Sequence, residues 1–270
     1  MICEDYEKLT RALQKQIEIM ASLRAPQNGC PWDLAQDFDT IAPFTIEEAY
    51  EVADAIKKRD FAALKEELGD LVFQVAFHSR MAEEAGLFDF VEVVENLNRK
   101  MVARHVHVFG DNQISTPEEV LVNWENIKAE ERAAKLKEDN SILADVAITL
   151  PALSRAWKLS RRAARVGFDW ENCDAIFAKL DEEVTETIEA IESKDNLHIQ
   201  EEIGDCLFVL VNLARKCDID PEHALRLAND KFENRFRFIE DELAKQGKTP
   251  QSSDIEEMET LWLKAKIAGK

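Results

Sequence analysis

Glu47, Glu48 and Glu51, followed by Glu66, Glu67 and Asp70, recur 135 positions later as Glu182, Glu183, Glu186, Glu201, Glu202 and Asp205. Acids fill 54 of 270 positions, so six matches at one fixed offset would arise by chance less than about once in ten thousand. Gly69 with Gly204 and Phe73 with Phe208 keep the same offset. On a helix, residues three apart share a face, so Glu48 pairs with Glu51, Glu67 with Asp70, Glu183 with Glu186 and Glu202 with Asp205. If the two helices of each copy pack antiparallel, four carboxylates converge between them. Two such charges 4 Å apart repel by about 4 kcal/mol at an effective dielectric of 20. A hard divalent cation resolves that conflict, and all-oxygen ligation suits Mg²⁺ first, with Mn²⁺ or Ca²⁺ as alternatives. A carboxylate not fully committed to metal can accept a proton from water, and Glu182 and Glu183 are the candidates.

Downstream of each acidic set lies a basic pair at helical i, i+4 spacing, Lys100 with Arg104 and Lys231 with Arg235. Such a pair can hold two oxygens of a phosphate chain from one helix face. Trp124 and Trp262 follow and offer rings for a base. Simpler readings exist for each feature: Glu48 as the third-position acid of a capping box, the basic pairs as surface charge, either Trp as core, and Lys158, Arg161, Arg162 and Arg165 as a solvated face. Two complete quartets in register weigh against the simpler reading of the acids. There is no G-x-x-x-x-G-K-[ST] loop, no Glu followed three residues later by His, and no His followed by Asp. A P-loop is therefore excluded as the phosphate cradle, the missing E-x-x-H argues against a ferritin-like di-iron site, and an H-D phosphohydrolase motif is missing.

The elements that must carry these residues are helical. Thr45 and Glu48 predict a capping box opening a helix to about Lys58, and Asp60 predicts the cap of the next, ending near Gly86. Leu64, Leu68, Leu71, Val72 and Val75 have the spacing of that helix's buried face. Asp89 starts a third, and Thr116, Pro117 and Glu119 start one reaching about Lys137. Residues 138–141 read as a linker. Further helices are expected from Pro151 to about Val166, from near Asp174, after Asp195, from Asp220 and Pro221 to about Lys245, and behind a Ser253/Glu256 cap. Val106 to Phe109 is the one short strand candidate. The class is all-α, in two tandem helical-bundle copies, residues 1–138 and 142–270. Gly69 and Gly204 fall inside helices, where Gly costs about 1 kcal/mol relative to Ala, and close helix approach beside the acids is the expected reason.

Composition narrows the partners. The chain has 46% hydrophobic residues, 33% charged residues and a formal charge of -20. Such a field repels nucleic acid and anionic lipid, so neither is an expected partner. Five cysteines without a C-x-x-C pair fit a reducing compartment, and no run reaches 18 apolar residues, so the expected location is cytoplasmic. The segment Cys206 to Val211 is apolar on every helical face, which predicts a homodimer.

These residues resemble the MazG family of nucleoside triphosphate pyrophosphohydrolases. The likeness rests on the two acidic sets together with Gly29-Cys30-Pro31-Trp32-Asp33, Arg104-His105-Val106-His107-Val108-Phe109 and Val166-Gly167-Phe168-Asp169-Trp170. It spans nearly the whole chain. The resemblance implies an all-α, Mg²⁺-using dimer that cleaves NTP or dNTP to the monophosphate and pyrophosphate, a nucleotide-pool house-cleaning reaction. By motif match, Glu183, Glu186, Glu202 and Asp205 are metal ligands, and Lys179, Lys231, Arg235 and Trp262 are nucleotide contacts. The first copy correspondingly offers Glu48, Glu51, Glu67, Asp70, Lys100 and Arg104. Val106 departs from the family's R-H-P-H segment, which makes the second copy the expected main catalyst. A non-catalytic acidic helical module that binds a partner protein is the alternative, and a carboxylate-bridged metal oxidase is a weaker third.

Overall fold

The computed structural model describes residues 3–110, 116, 117, 119, 120, 123, 124, 127 and 141–270. The chain divides into two compact units, Met1–Ala129 and Glu130–Lys270. The first contains α1 (Cys3–Leu23), α2 (Pro31–Leu34), α3 (Phe38–Lys58), α4 (Phe61–Glu84), α5 (Phe90–Arg104) and α6 (Val106–Phe109). The second contains α7 (Ala152–Ala164), α8 (Cys173–Ser193), α9 (Asn196–Lys216), α10 (Pro221–Lys245), a 3₁₀ turn (Pro250–Ser252) and α11 (Ile255–Ile267). No strand occurs among the described residues, so the class is all-α.

Each unit is organised on one tight helical hairpin, α3 with α4 and α8 with α9. Both hairpins turn in the same way. Arg59 and Lys194 end their helices in the left-handed region, at φ 57° and 59°. Asp60 then accepts from the Ala62 and Ala63 amides, and Asp195 from those of Leu197 and His198. A cap of this kind contributes about 1 kcal/mol and offsets the left-handed residue before it. Two-residue connections leave the helices no course but antiparallel, which sets the register of the acids across each pair. The first hairpin packs through Ile41, Phe77 and Met81 onto Met20 of α1, with Phe73 at the margin. In the second unit Ile239, Leu243 and Leu261 form a separate cluster between α10 and α11, flanked by Phe236, Met258 and Trp262.

Several expectations are corrected. The helix carrying Glu48 starts at Phe38, not at Thr45, because Asp37 and Thr40 form the capping box. Pro43 is therefore an interior residue that removes one backbone hydrogen bond. The Thr45 hydroxyl instead contacts the His78 Nε2 at 2.9 Å. Val106–Phe109 is a single helical turn rather than a strand. The cap of α11 is Asp254, which accepts from the Glu257 amide, one residue beyond the expected Ser253/Glu256. Of the predicted buried stripe on α4, Leu68, Val72 and Val75 are exposed, because the unit's own helices cover the adjacent face that carries Phe77. A Cβ built on Gly69 or Gly204 would meet nothing within 4 Å, so close helix approach within the chain does not account for either glycine. Thr116 and Glu119 exchange the expected reciprocal cap bonds. The continuation to Lys137 and linker positions 138–140 lie outside the described residues.

The Asp169-Trp170 segment is tied to the end of α9. Asp169 pairs closely with Arg215 and lies 3.2 Å from Lys216 Nζ, which also donates to the Trp170 carbonyl at 2.6 Å. The Arg215 hydrogen bond, seconded by Lys216, holds the Asp169 carboxyl below its ordinary range despite desolvation. A depressed folded-state value adds stability that is fully present above the unfolded pKa of about 3.9 and lost as pH falls through the lower folded value. Asp169→Asn is therefore expected to cost about 2 kcal/mol at neutral pH. In urea titrations the gap between wild type and variant should stay constant above about pH 5 and close as acid is added. A gap that does not narrow as acid is added would sink this assignment.

Candidate metal centres

Each hairpin brings three of its four predicted acids together. In the first unit Glu48 of α3 meets Glu67 and Asp70 of α4, and one oxygen from each lies within 4.8 Å of the others. In the second, Glu183 of α8 meets Glu202 and Asp205 of α9 at the same spacing. Glu51 and Glu186 stand outside these triads but feel them. Burial, then Asp70, Glu51 and Glu67, raises the Glu48 carboxyl above its ordinary value. Burial, then Glu183 and Glu202, does the same for Glu186, and burial followed by Glu51 and Asp70 raises Glu67. Such shifts are the signature of carboxylates crowded without enough positive charge. Because the cap of α3 is Asp37, Glu48 has no capping role and its position needs another reason.

The second triad is the more enclosed. Glu183 is 5% and Glu202 8% exposed. Lys179 Nζ lies 2.8 Å from both Glu182 Oε1 and Glu183 Oε1. Those two hydrogen bonds raise the Lys179 ammonium above its ordinary value, so it stays charged beside the acids. His198 Nε2 is 3.0 Å from Glu202 Oε1, whereas Glu202 Oε2 is buried with no hydrogen-bond partner. An ionised oxygen buried in that state costs several kcal/mol unless something positive meets it. Three converging carboxylates and an unpartnered buried oxygen fit a hard divalent cation, for which all-oxygen donor sets are typical.

The predicted nucleotide contacts are distributed otherwise. Lys179 joins the acids directly. Arg235 stacks 5.3 Å from the centre of the Trp262 ring and donates to the Lys270 carbonyl, while Trp262 also meets Phe232 at 5.4 Å. Trp262 thus has a packing role beside the α10–α11 cluster. No hydrogen bond or ion pair joins the exposed Lys231, or the half-buried Arg235 and Trp262, to the second triad. Lys100 and Arg104 are half-buried on α5. Beyond them, the His105 ring lies 5.7 Å from both His107 and Trp124, and His105 Nδ1 is 2.7 Å from the Met101 carbonyl oxygen. The basic run on α7 is not a purely solvated face, since Arg162 donates to the Ala144 carbonyl and Arg161 lies 5.0 Å from the Trp157 ring centre. Sequence reasoning missed the contacts of Lys179 and His198 with the acids, although both sit four residues before a triad member, a spacing that places them on one helix face.

The MazG nucleotide pyrophosphohydrolase domain matches residues 36–109 and 171–237. The chain is similar to the nucleoside triphosphate pyrophosphohydrolase of Escherichia coli strain K12, with 46% identity covering 94% of this chain and 97% of that protein. It is 40% identical to the nucleoside triphosphate pyrophosphohydrolase/pyrophosphatase MazG of Thermotoga maritima, over 94% of this chain and 95% of the relative. A nucleoside triphosphate pyrophosphohydrolase of Mycobacterium tuberculosis is 31% identical over 77% of this chain and 65% of its own length.

Proposed function

Because this chain belongs to the MazG nucleotide pyrophosphohydrolase family, we propose that it hydrolyses nucleoside triphosphates, NTP or dNTP, to the monophosphate and pyrophosphate with a divalent cation held by its carboxylate triads. The observation that carries this reading is the second triad, whose Glu202 holds a buried oxygen without a protein partner. Glu183, Glu202 and Asp205 would ligate the cation, with Glu186 beside them, and Glu48, Glu67 and Asp70, with Glu51, would do so in the first unit. Mg²⁺ is the resident ion on this reading, and Mn²⁺ a substitute. Bound there, the ion would neutralise phosphate oxygens and lower the pKa of a coordinated water.

The protein's own groups supply the rest. Water adds to phosphorus at the α–β anhydride, the bridging P–O bond breaks, and the proton passes to a carboxylate. Glu183 belongs to the triad, which leaves Glu182, held by Lys179 through Oε1, the better placed of the two acceptors. Lys179 then offers positive charge beside the reacting phosphate, and Lys231, Arg235 and Trp262, like Lys100 and Arg104, serve the triphosphate tail and base. On this reading the two domains are residues 1–138 and 142–270, bounds some ten residues beyond the division between the compact units at Ala129 and Glu130. Exposed Ile203, Leu207, Phe208 and Leu210 on α9, and Leu68, Val72 and Val75 on α4, support a homodimer that covers them. No described helix is long and apolar enough to cross a membrane. The same reading carries a cytoplasmic location and a nucleotide-pool house-cleaning role.

The test is product identity. Purified protein, given each NTP or dNTP with Mg²⁺, should release monophosphate and pyrophosphate in equal amounts, and sediment at about twice 30.8 kDa. Diphosphate plus inorganic phosphate would overturn the proposed bond cleavage, and no turnover at all would favour a non-catalytic acidic module.

A further inference from the structure

The two hairpins are an internal comparison in which the acids match but their neighbours do not. At the 135-residue offset His198 corresponds to Ala63, so only the second triad has an imidazole one helical turn before its central glutamate. His198 Nε2 lies 3.0 Å from Glu202 Oε1, and the His198 side chain is 46% exposed. Nε2 is the ring nitrogen that faces the carboxylate. The opposite oxygen, Oε2, is the buried one with no partner. One oxygen of Glu202 thus meets a half-exposed imidazole, while the other is buried with no hydrogen-bond partner.

We propose that His198 is a positioning residue that fixes the Glu202 carboxylate for metal ligation in the second unit. The proposal rests on the metal reading given above. A glutamate has three side-chain torsions to order before it can ligate, and an imidazole nitrogen 3.0 Å from its Oε1 removes much of that freedom before the ion arrives. Partners one shell out from a ligand typically change metal affinity by about 10- to 100-fold when removed. Ala63 can supply no such contact to Glu67, so the first triad must order that carboxylate on binding. His198 also makes its contact from an exposed position, which separates its effect on the ligand from any contribution to the core.

The experiment uses the full chain carrying Glu67→Gln, so that the first triad lacks a charged ligand, and adds His198→Ala or His198→Gln. Metal-stripped protein is titrated with Mn²⁺ by calorimetry, and circular dichroism checks the fold. His198→Ala should weaken Mn²⁺ binding about tenfold. His198→Gln, whose amide nitrogen can donate to the same oxygen, should recover most of the loss. The metal concentration that half-saturates NTP hydrolysis should rise by the same factor, while kcat at saturating metal changes by less than about twofold. Unchanged affinity in His198→Ala, or a Gln variant as weak as Ala, would overturn the positioning role alone. A Glu67→Gln parent that takes up no Mn²⁺ would overturn it together with the metal reading.

Discussion

Glu202→Gln is expected to lower NTP hydrolysis by about 10²-fold or more, while Glu67→Gln leaves most of the activity in place. Each substitution keeps size and helical propensity and exchanges one charged oxygen for an amide nitrogen. What differs is the surroundings. Glu202 is buried with His198 Nε2 3.0 Å from its Oε1, opposite a Glu183 that is paired with Lys179. At the matching positions of the first unit stand Ala63 and Phe44, neither of which can hold a carboxylate. The first triad therefore keeps its ligands but lacks the groups that hold them in the second. Steady-state rates of the two variants at saturating Mg²⁺, with circular dichroism to confirm the fold, decide the matter. The reverse ranking would move catalysis to the first unit, and equal halving would show two independent working sites.

The acids were legible in the sequence because carboxylates in register carry their own periodicity and repeat at one offset. So were most helix starts, since Asp60, Asp89, Asp195 and Asp220 announce themselves as caps. The start of α3 was not, because Pro43 reads as a boundary and the structure tolerates it inside the helix behind the Asp37–Thr40 box. The stripe of Leu68, Val72 and Val75 has the periodicity of a buried face, but periodicity shows only that a face is apolar, not whether the same chain covers it. For the same reason Gly69 and Gly204 gave a wrong expectation: the space beside them is open within the chain. Convergence of Glu48 with Glu67 and Asp70, and the exclusion of Glu51 from that triad, depend on helix rotation across the hairpin, which no spacing along one helix encodes.

Removing divalent cations is expected to abolish turnover and leave the helices intact. Without an ion each triad holds three carboxylates whose nearest oxygens lie within 4.8 Å, a repulsion of several kcal/mol at an effective dielectric near 20. Burial and the neighbouring acids raise the Glu48 and Glu186 carboxyls above their ordinary value, so these two acids hold protons more readily than free carboxyls do. Metal binding must then displace those protons, which makes activity fall as pH drops. The direct measurement is hydrolysis of one NTP by chelator-stripped protein, with monophosphate and pyrophosphate resolved, before and after Mg²⁺ is restored. The expected result is no product in excess chelator, an unchanged circular dichroism spectrum, and full recovery of equal monophosphate and pyrophosphate on adding Mg²⁺. Undiminished hydrolysis in excess chelator would contradict it.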